Sequence, residues 1–353
     1  MRTRKFARRL GIVMALYCPL SLLAPILATA EQLTQVRRWP AVRPATDGQR
    51  VRLGASDADE LRVIYARDLG AGQRRVEVEN EIGEVLYSGD IEAPIARFHP
   101  AQLVNGEALV RDSSRVTLAG ETVGNGEWET YAGLAAGGHQ VVIAWKPCLV
   151  RPCKATVFYR PADSFWRSRS WDRELFGVQL APAASGTVAV ATRENPVNRG
   201  WTLRQVSAAD LLERGTLTEV AAAQTWSPGS SLSLEDPRLM AGAGASPELI
   251  GGAFDLAANA TSGAAYTAAV GGALRKLATG APTRGNAEIW GVRRGSARYF
   301  ALELSGDRSA LMKSQGGTAA AVAEVAGKAP VVALAEGRVW MATTVGLWRL
   351  VEN

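Results

Sequence analysis

Two tryptophans and three arginines lie close together in the segment Phe165–Glu174, and side chains of this kind could bind a ligand. Alternate residues of a strand face opposite sides, so Arg167, Arg169 and Trp171 would share one face and Trp166 would lie on the other. An indole ring stacks on sugar rings or bases, and a guanidinium binds carboxylates or phosphates. The segment is therefore a candidate ligand-binding rim or channel-mouth loop. We favour the alternative, in which it packs between repeats and its arginines extend to water.

A second aromatic and acidic segment, Gly126–Tyr131, contains Trp128 and has the same two interpretations. Four further tryptophans recur with the strand pattern and are predicted to lie in the core: Trp201, Trp290, Trp340 and Trp348.

The close pair Cys148 and Cys153 is flanked by prolines, which would stiffen the loop between them. In an oxidising compartment such a pair is most simply a structural disulfide, and we predict one here. A redox-active pair usually has a closer spacing at the start of a helix. A metal site would need further ligands, and the sequence contains only two histidines, His99 and His139, so no metal site is predicted.

No catalytic signature accompanies these candidates. The sequence contains neither the Gly-x-Ser-x-Gly elbow of serine hydrolases nor a glycine loop that binds phosphates or dinucleotides, so we predict no cofactor. The 34 Asp and Glu residues leave open a pair of carboxylates such as glycosidases use.

Short strands dominate the chain, and they must position these side chains. Arg75–Glu79 alternates strictly, and after a turn Glu84–Tyr87 is again strand-like, which predicts a hairpin with one solvent-exposed face. Helix signals are few. Ser207–Arg214 is typical of one short capped helix ended by Gly215, and Ala319–Ala326 favours helix by residue propensity.

The second half of the chain repeats a pattern at separations of about 35 to 45 residues, the range of propeller blades. Each unit joins a strand of small and aromatic residues to a turn with glycine and a further strand: Gly186–Thr192 with Gly200–Arg204, Gly263–Leu277, Ser296–Leu304 and Gly337–Leu350. The segment Val339–Leu350, a strand, an Ala-Thr-x-x-Gly-Leu turn and an aromatic strand, resembles the repeats of β-propeller proteins.

This resemblance implies an all-β fold in which residues 31–353 form a single β-propeller of about seven blades. Inner strands around the channel would use small residues, which abound in Met240–Gly280, and outer strands could carry aromatics that pack one blade on the next. The C-terminal strand would complete a blade begun near the N-terminus and so close the ring.

The alternative is an N-terminal β-sandwich followed by a C-terminal β-domain, divided where the composition changes around Tyr159–Asp163. We favour the single ring, because the C-terminal part alone would supply about four blades, fewer than propellers usually have.

Residues 1–30 have the pattern of a secretory signal peptide. Five basic residues precede the apolar run Leu10–Leu27, and the small-x-small sequence Ala28–Ala30 follows it. We predict cleavage after Ala30 and a periplasmic or secreted location, with retention as a membrane anchor as the alternative.

Removal of this leader changes the charge of the chain. Without its five basic residues the 40 Lys and Arg become 35, against 34 Asp and Glu, so the mature protein would be nearly neutral. A nucleic-acid partner is therefore not expected. After the leader, no segment is long and apolar enough to predict a membrane span.

Two functions remain open. We favour an exported, non-catalytic binding or scaffold protein of a bacterial-type cell envelope, which binds a protein or an envelope polysaccharide with one propeller face. The alternative is a carbohydrate-active hydrolase or lyase with Asp/Glu pairs in the channel. The scarcity of groups that exchange protons near neutral pH favours the first.

Overall fold

The alternating segments of the sequence form antiparallel strands, which the computed structural model arranges in a closed ring. It describes residues 31–39, 51–92, 101–126, 128, 130–145, 154–183, 186–194, 200–226, 232–240, 246–255, 260–269, 273–279 and 289–352. The described strands form seven four-stranded sheets. The first strand of each sheet contacts the first strand of the next all the way round. The predicted all-β propeller of seven blades around a central channel is therefore confirmed.

Within each blade the strands follow one another from the innermost outward. The first three blades contain β2 (Arg52–Ala55), β3 (Leu61–Gly70), β4 (Gln73–Glu79) and β5 (Val85–Glu92); β6 (Ala101–Val104), β7 (Glu107–Arg111), β8 (Arg115–Leu118) and β9 (Glu121–Asn125); and β10 (Thr130–Ala136), β11 (His139–Trp145), β12 (Ala155–Arg160) and β13 (Arg167–Trp171). Blades 4 and 5 contain β14 (Gly177–Pro182), β15 (Thr187–Arg193), β16 (Trp201–Ser207) and β17 (Gln224–Trp226); and β18 (Leu232–Met240), β19 (Glu248–Asp255), β20 (Ala260–Ala269) and β21 (Arg275–Thr279). Blades 6 and 7 contain β22 (Gly291–Arg294), β23 (Ala297–Leu304), β24 (Arg308–Gln315) and β25 (Thr318–Ala326); and β26 (Val331–Ala335), β27 (Arg338–Thr343), β28 (Gly346–Glu352) and β1 (Glu31–Arg38).

The ring closes as predicted, through pairing of the first and last strands of the chain. β1 runs antiparallel to β28, from Glu31 opposite Glu352 to Arg38 opposite Gly346. Just after β1, the Trp39 indole Nε1 donates a hydrogen bond of 2.7 Å to the Thr343 carbonyl. The N-terminal strand therefore supplies the outer strand of blade 7, which leaves no gap in the ring.

The two-domain alternative is wrong. Its boundary, Tyr159–Asp163, falls inside blade 3, at the end of β12 and the start of the turn to β13. These strands pair from Ala155 opposite Trp171 to Tyr159 opposite Arg167, so the change in composition occurs within one sheet.

The predicted distribution of small and aromatic residues across each blade holds in part. Outer strands do carry packed aromatics, Trp171 on β13 and Trp226 on β17, but Met240–Gly280 does not supply the inner strands. The described strands of Met240–Gly280 beyond β18 are β19, β20 and the outer strand β21, and not an inner strand. The buried tryptophans Trp201, Trp340 and Trp348 stand on middle strands. Middle strands are covered on both faces by the neighbouring blades, so they need large apolar side chains as well as small ones, whereas the outer strands lie nearer to solvent.

Helix α1 (Ala208–Arg214) matches its prediction, whereas a second helix-like segment is a strand. The Ser207 side chain accepts a hydrogen bond from the Asp210 backbone N–H, and Gly215 ends α1 in the left-handed conformation, at φ 63°. Ala319–Ala326 lies in β25, which pairs with β24 along its length. Pairing within the sheet here outweighs the helix propensity of alanine. Over the described ranges, no helix is long and apolar enough to cross a membrane.

Ion pairs join neighbouring blades between the apolar clusters. Glu248 on β19 is 1% exposed, and Arg298 Nε on β23 of the next blade lies 2.7 and 2.8 Å from its two carboxylate oxygens. Arg37 on β1 and Glu79 on β4, at 2.9 Å, join blade 7 to blade 1. Such pairs hold adjacent sheets in one register, because a buried charge that loses its partner is costly.

Candidate functional site in the central channel

The inner strands enclose a cavity of about 450 Å³ along the axis of the ring. Every blade contributes to its lining, for example through Arg52, Gln102, Gly133, Gln179, Arg238, Arg293 and Ala333. This volume is in the range of small-molecule sites, and it is the natural place for a ligand in this fold.

Polar and apolar side chains are mixed along the channel. Arg52 and Gln102 stand at the start of their inner strands, whereas Arg238 and Arg293 stand toward the ends of theirs, as does the apolar Leu334.

Two arginines from other blades contact the ring of Trp290. It directly precedes β22 of blade 6 and is half-buried in the channel lining. The guanidinium carbon of Arg52, on blade 1, lies 4.7 Å from the centroid of its ring, and that of Arg238, on blade 5, lies 4.3 Å from it. Contacts of this length are cation–π interactions, which hold each guanidinium against the ring.

A third arginine, Arg293, lines the same cavity from β22. Its Nε atom and the indole Nε1 of Trp290 are buried without a hydrogen-bond partner among the residues that the structure describes. Guanidinium groups stay protonated at any physiological pH. The four residues Arg52, Arg238, Arg293 and Trp290, which we call the channel cluster, therefore bring three positively charged side chains and one indole together in the channel lining.

The charge of Arg52 also acts on blade 3. Burial raises the pKa of the Tyr131 phenol far above its ordinary range, and the charges of Arg111 and Arg52 only partly oppose this. The backbone carbonyl of Tyr131 accepts a hydrogen bond of 3.0 Å from the Gln102 side chain. Tyr131 is therefore a neutral neighbour of the channel cluster.

Carboxylates do not occur among the described residues that line this cavity. A glycosidase-type mechanism needs two of them on either side of the scissile bond, so the described lining does not supply the pair that the hydrolase alternative requires. Over the same described ranges, no group of three or more His, Cys, Asp and Glu side chains could hold a metal ion.

The structure places the predicted cluster of Phe165–Glu174 on the outer rim of the ring. Arg167 and Arg169 are exposed on β13, the outermost strand of blade 3, and Trp171 is half-buried against the core beside them. Trp166 is half-buried and lies under Arg160, whose guanidinium carbon is 5.2 Å from its ring centroid. Trp166 packs toward blade 2 and Trp171 toward blade 4, so the two rings lie on opposite sides of blade 3. Binding of a ligand by these residues stays a prediction.

Trp128 packs in the core between blades 2 and 3. It is 5% exposed and meets Phe158 edge to face, with ring centroids 5.4 Å apart. The Arg111 side chain donates to its backbone carbonyl at 2.7 Å. The cysteines Cys148 and Cys153 and the leader lie outside the described residues, so the disulfide and the signal peptide also stay predictions.

The sequence pattern did not reveal the channel cluster. Trp290 was grouped with Trp201, Trp340 and Trp348 as a core residue, and it alone among these four is half-buried in the channel lining. Its position just before the innermost strand of a blade would have indicated a residue of the channel lining. That position can be recognised only when each strand has been assigned to its blade.

The fold and this cluster define a seven-bladed β-propeller with a basic, aromatic channel. Neither a family model nor a curated protein matches the chain. Among solved structures, the N-terminal domain of Nup159 is 9% identical over 91% of this chain and 95% of its own, with a TM-score of 0.50. The lectin SapL1 in complex with α-methyl fucoside is 10% identical over 86% and 91%, with a TM-score of 0.45. Prolyl oligopeptidase B from Galerina marginata is 10% identical over 79% and 44%, with a TM-score of 0.44. At these identities the similarity shows the fold alone.

Proposed function

We propose that this protein is an exported, non-catalytic binding or scaffold protein of the cell envelope. It binds a protein or an envelope polymer with one propeller face, at a mouth of the channel. The observation that carries the proposal is the channel cluster, in which arginines of blades 1 and 5 lie against one tryptophan of blade 6 inside a concave cavity that Arg293 also lines.

The chemistry of this cluster supports binding over catalysis. Guanidinium groups do not exchange protons near neutral pH, so they are poor general acids and bases. They bind and orient anions well, and an aromatic ring beside them restricts their motion. The side chains that converge in the described channel therefore suit recognition of a ligand.

The proposed location rests on the leader alone and has a direct test. We expect the protein to occur in the periplasmic or secreted fraction of expressing cells and its mature N-terminus to be Glu31. Mass spectrometry of the purified protein measures this. A mass that still includes residues 1–30, found in the membrane fraction, would instead indicate an uncleaved anchor.

The binding function is tested by retention of envelope material on the immobilised protein. We expect Arg238→Gln to reduce the amount retained at least about tenfold, since it removes one charge-assisted contact of the channel. Arg169→Gln tests the rival site on the outer rim, and Arg308→Gln, in an exposed ion pair on β24, is the matched control. Retention that falls with Arg169→Gln and not with Arg238→Gln would move the site to the rim.

A further inference from the structure

The outermost strand of blade 3 has the features of a docking site for another chain. β13 is the last strand of its sheet, so alternate backbone N–H and C=O groups along its outer edge point away from β12. We propose that an extended segment of a partner protein, with acidic side chains at alternate positions, adds to β13 as a fifth strand. This surface is separate from the inner strands that line the channel, so the proposal goes beyond the proposed function.

The strand β13 is open to solvent on both of its faces. All four residues of Arg167–Ser170 are exposed, although successive residues of a strand face opposite sides. None of the other outer strands, as far as their residues are described, has four successive exposed residues. Proteins usually cover or shorten such an edge, because an open edge pairs readily with another chain. The exposure of β13 therefore leaves room for an added strand.

The exposed face of β13 carries two arginines without a counter-ion in the described protein. Beside them, Lys154 and Arg173 each lie within 3.5 Å of a carboxylate oxygen. Within the described ranges, Arg167 and Arg169 have no such partner. They are two residues apart, so they share one face and their Cα atoms are separated by about 7 Å. Carboxylates at alternate positions of an added strand repeat at the same distance, so each can pair with one arginine.

An exposed aromatic ring lies at the start of this row. Phe165 is 69% exposed, and the guanidinium carbon of Arg167 lies 5.0 Å from its ring centroid. Trp166 and Trp171, in contrast, pack against the core on the two sides of blade 3. Covering the phenyl ring with an apolar side chain is favourable. An antiparallel partner should therefore have an apolar residue two positions after its second acidic residue, opposite Phe165.

A second basic outer strand lacks this arrangement. β21 of blade 5 exposes Arg275 and Lys276, but these residues are consecutive and therefore lie on opposite faces of the strand. Carboxylates on one face of an added strand could not pair with both. β21 is therefore a matched control, with the same charge in a different pattern.

Synthetic peptides with blocked ends test the proposal on the purified protein. Thr-Glu-Thr-Glu-Thr-Leu-Thr has the required alternation, and Thr-Thr-Glu-Glu-Thr-Leu-Thr has the same composition with adjacent acidic residues. We expect fluorescence anisotropy to show binding of the first peptide at least about threefold tighter than that of the second, because only the first presents both carboxylates to the arginines. A peptide with Lys in place of Glu should not bind.

Methylation of alternate amide nitrogens of the first peptide tests strand addition itself. Only every second N–H group of an added strand points at β13. Of the two alternate sets of methylated nitrogens, one should therefore abolish binding and the other should leave it unchanged.

Variants of the protein locate the site. Arg167→Gln combined with Arg169→Gln should weaken binding of the first peptide at least about tenfold, because both carboxylates lose a charge-assisted contact. The control, Arg275→Gln combined with Lys276→Gln, removes the same charge and should leave the affinity unchanged. Phe165→Ser should weaken binding of the first peptide and not of one with Thr in place of Leu. All these residues are exposed, and unfolding midpoints show whether the variants are folded.

Several results would overturn the proposal: no binding of the alternating peptide, equal affinity of the two peptide orders, or equal binding of the two methylated sets. An equal loss in the β21 variant would also overturn it. Binding of polygalacturonate in place of the peptide, lost with the double variant of β13, would instead make this edge a polysaccharide site. The proposed function fails separately, because Arg238→Gln in the channel should not change peptide binding and retention of envelope material does not require β13.

Discussion

Arginine has two different environments in this propeller, and the difference is informative at the scale of single residues. At the blade junctions it is paired with a carboxylate, as in Arg298 with Glu248 and Arg37 with Glu79. In the channel the guanidinium groups of Arg52 and Arg238 also lie against the ring of Trp290. Arginine therefore joins blades in two ways, through a carboxylate at a blade junction and through an aromatic ring in the channel lining.

The pair at the junction of blades 5 and 6 leads to a prediction about stability. Glu248→Ala leaves Arg298 without its carboxylate and the Thr267 hydroxyl with the Leu249 carbonyl alone as acceptor, so we expect a loss of about 3 kcal/mol in the free energy of unfolding. Urea denaturation measures it. Arg308→Ala, which breaks the exposed pair with Glu324, should cost less than about 1 kcal/mol. Equal losses in the two variants would mean that the buried pair contributes no more to the free energy of unfolding than the exposed pair does.

The carboxylate of Asp112 should make the free energy of unfolding depend on pH. Partial burial of Asp112 disfavours its charged form, but hydrogen bonds from the backbone of Ser114 and from Arg115 outweigh this, and the pKa of Asp112 is lowered. The depressed pKa adds stability that is fully present above the pKa of the unfolded chain, about 3.9. This stability is lost as the pH falls through the lower pKa of the folded protein.

Asp112→Asn should therefore lower the free energy of unfolding at pH 7 and flatten its decline below about pH 4. Urea denaturation at a series of pH values measures both effects. An acid limb as steep as that of the unchanged protein would show that Asp112 does not contribute to it.

At the scale of elements, close packing of the inner strands explains where glycine is required. A Cβ on Gly133 of β10 would lie 2.5 Å from Val104 Cγ2 and 3.0 Å from Leu109 Cδ2. Valine is stiff about its Cα–Cβ bond, so it cannot yield easily. We expect Gly133→Ala to lower the free energy of unfolding by about 1 to 3 kcal/mol through overpacking.

The control for this change is Gly295→Asn, at a turn with φ 60° and open space around it, where asparagine tolerates the left-handed conformation. Calorimetric unfolding of the two variants compares them. A larger loss at Gly295 than at Gly133 would contradict the packing argument.

Hairpins could be predicted from the sequence because alternation is local, whereas the channel could not. The hairpin predicted from Arg75–Glu79 lies in β4 and β5, and the caps of α1 at Ser207 and Gly215 are where the residues predict them. Trp201 and Trp290 look alike in sequence, each beside the start of a strand. Trp201 is 1% exposed in the core and Trp290 borders the channel, because one strand is the third of its blade and the other is the first. That order depends on how all blades fit into the ring.

At the scale of the whole molecule, β1 connects three blades. It pairs with β28 in blade 7, and Arg37 reaches Glu79 of blade 1. In blade 6 the Tyr299 hydroxyl donates to Glu31 at 2.8 Å, and Lys313 Nζ lies 2.5 Å from the same carboxylate oxygen. The eight residues of β1 therefore hold the point at which the two ends of the ring meet.

Removal of β1 should open the ring. A chain that begins at residue 40 leaves the edge of β28 unpaired and deprives Glu79 of Arg37, so blades 6, 7 and 1 lose the contacts that β1 makes between them. We expect its midpoint in urea to fall well below that of the chain from residue 31, and its single transition to split or broaden, because the blades then unfold from a free end. Urea unfolding followed by tryptophan fluorescence measures this, with size-exclusion chromatography to detect association through the exposed edge.

Arg37→Gln with β1 retained is the matched control: it removes one ion pair, keeps the strand, and should keep one cooperative transition. An unchanged midpoint after removal of β1 would mean that the other blade contacts hold the ring without it.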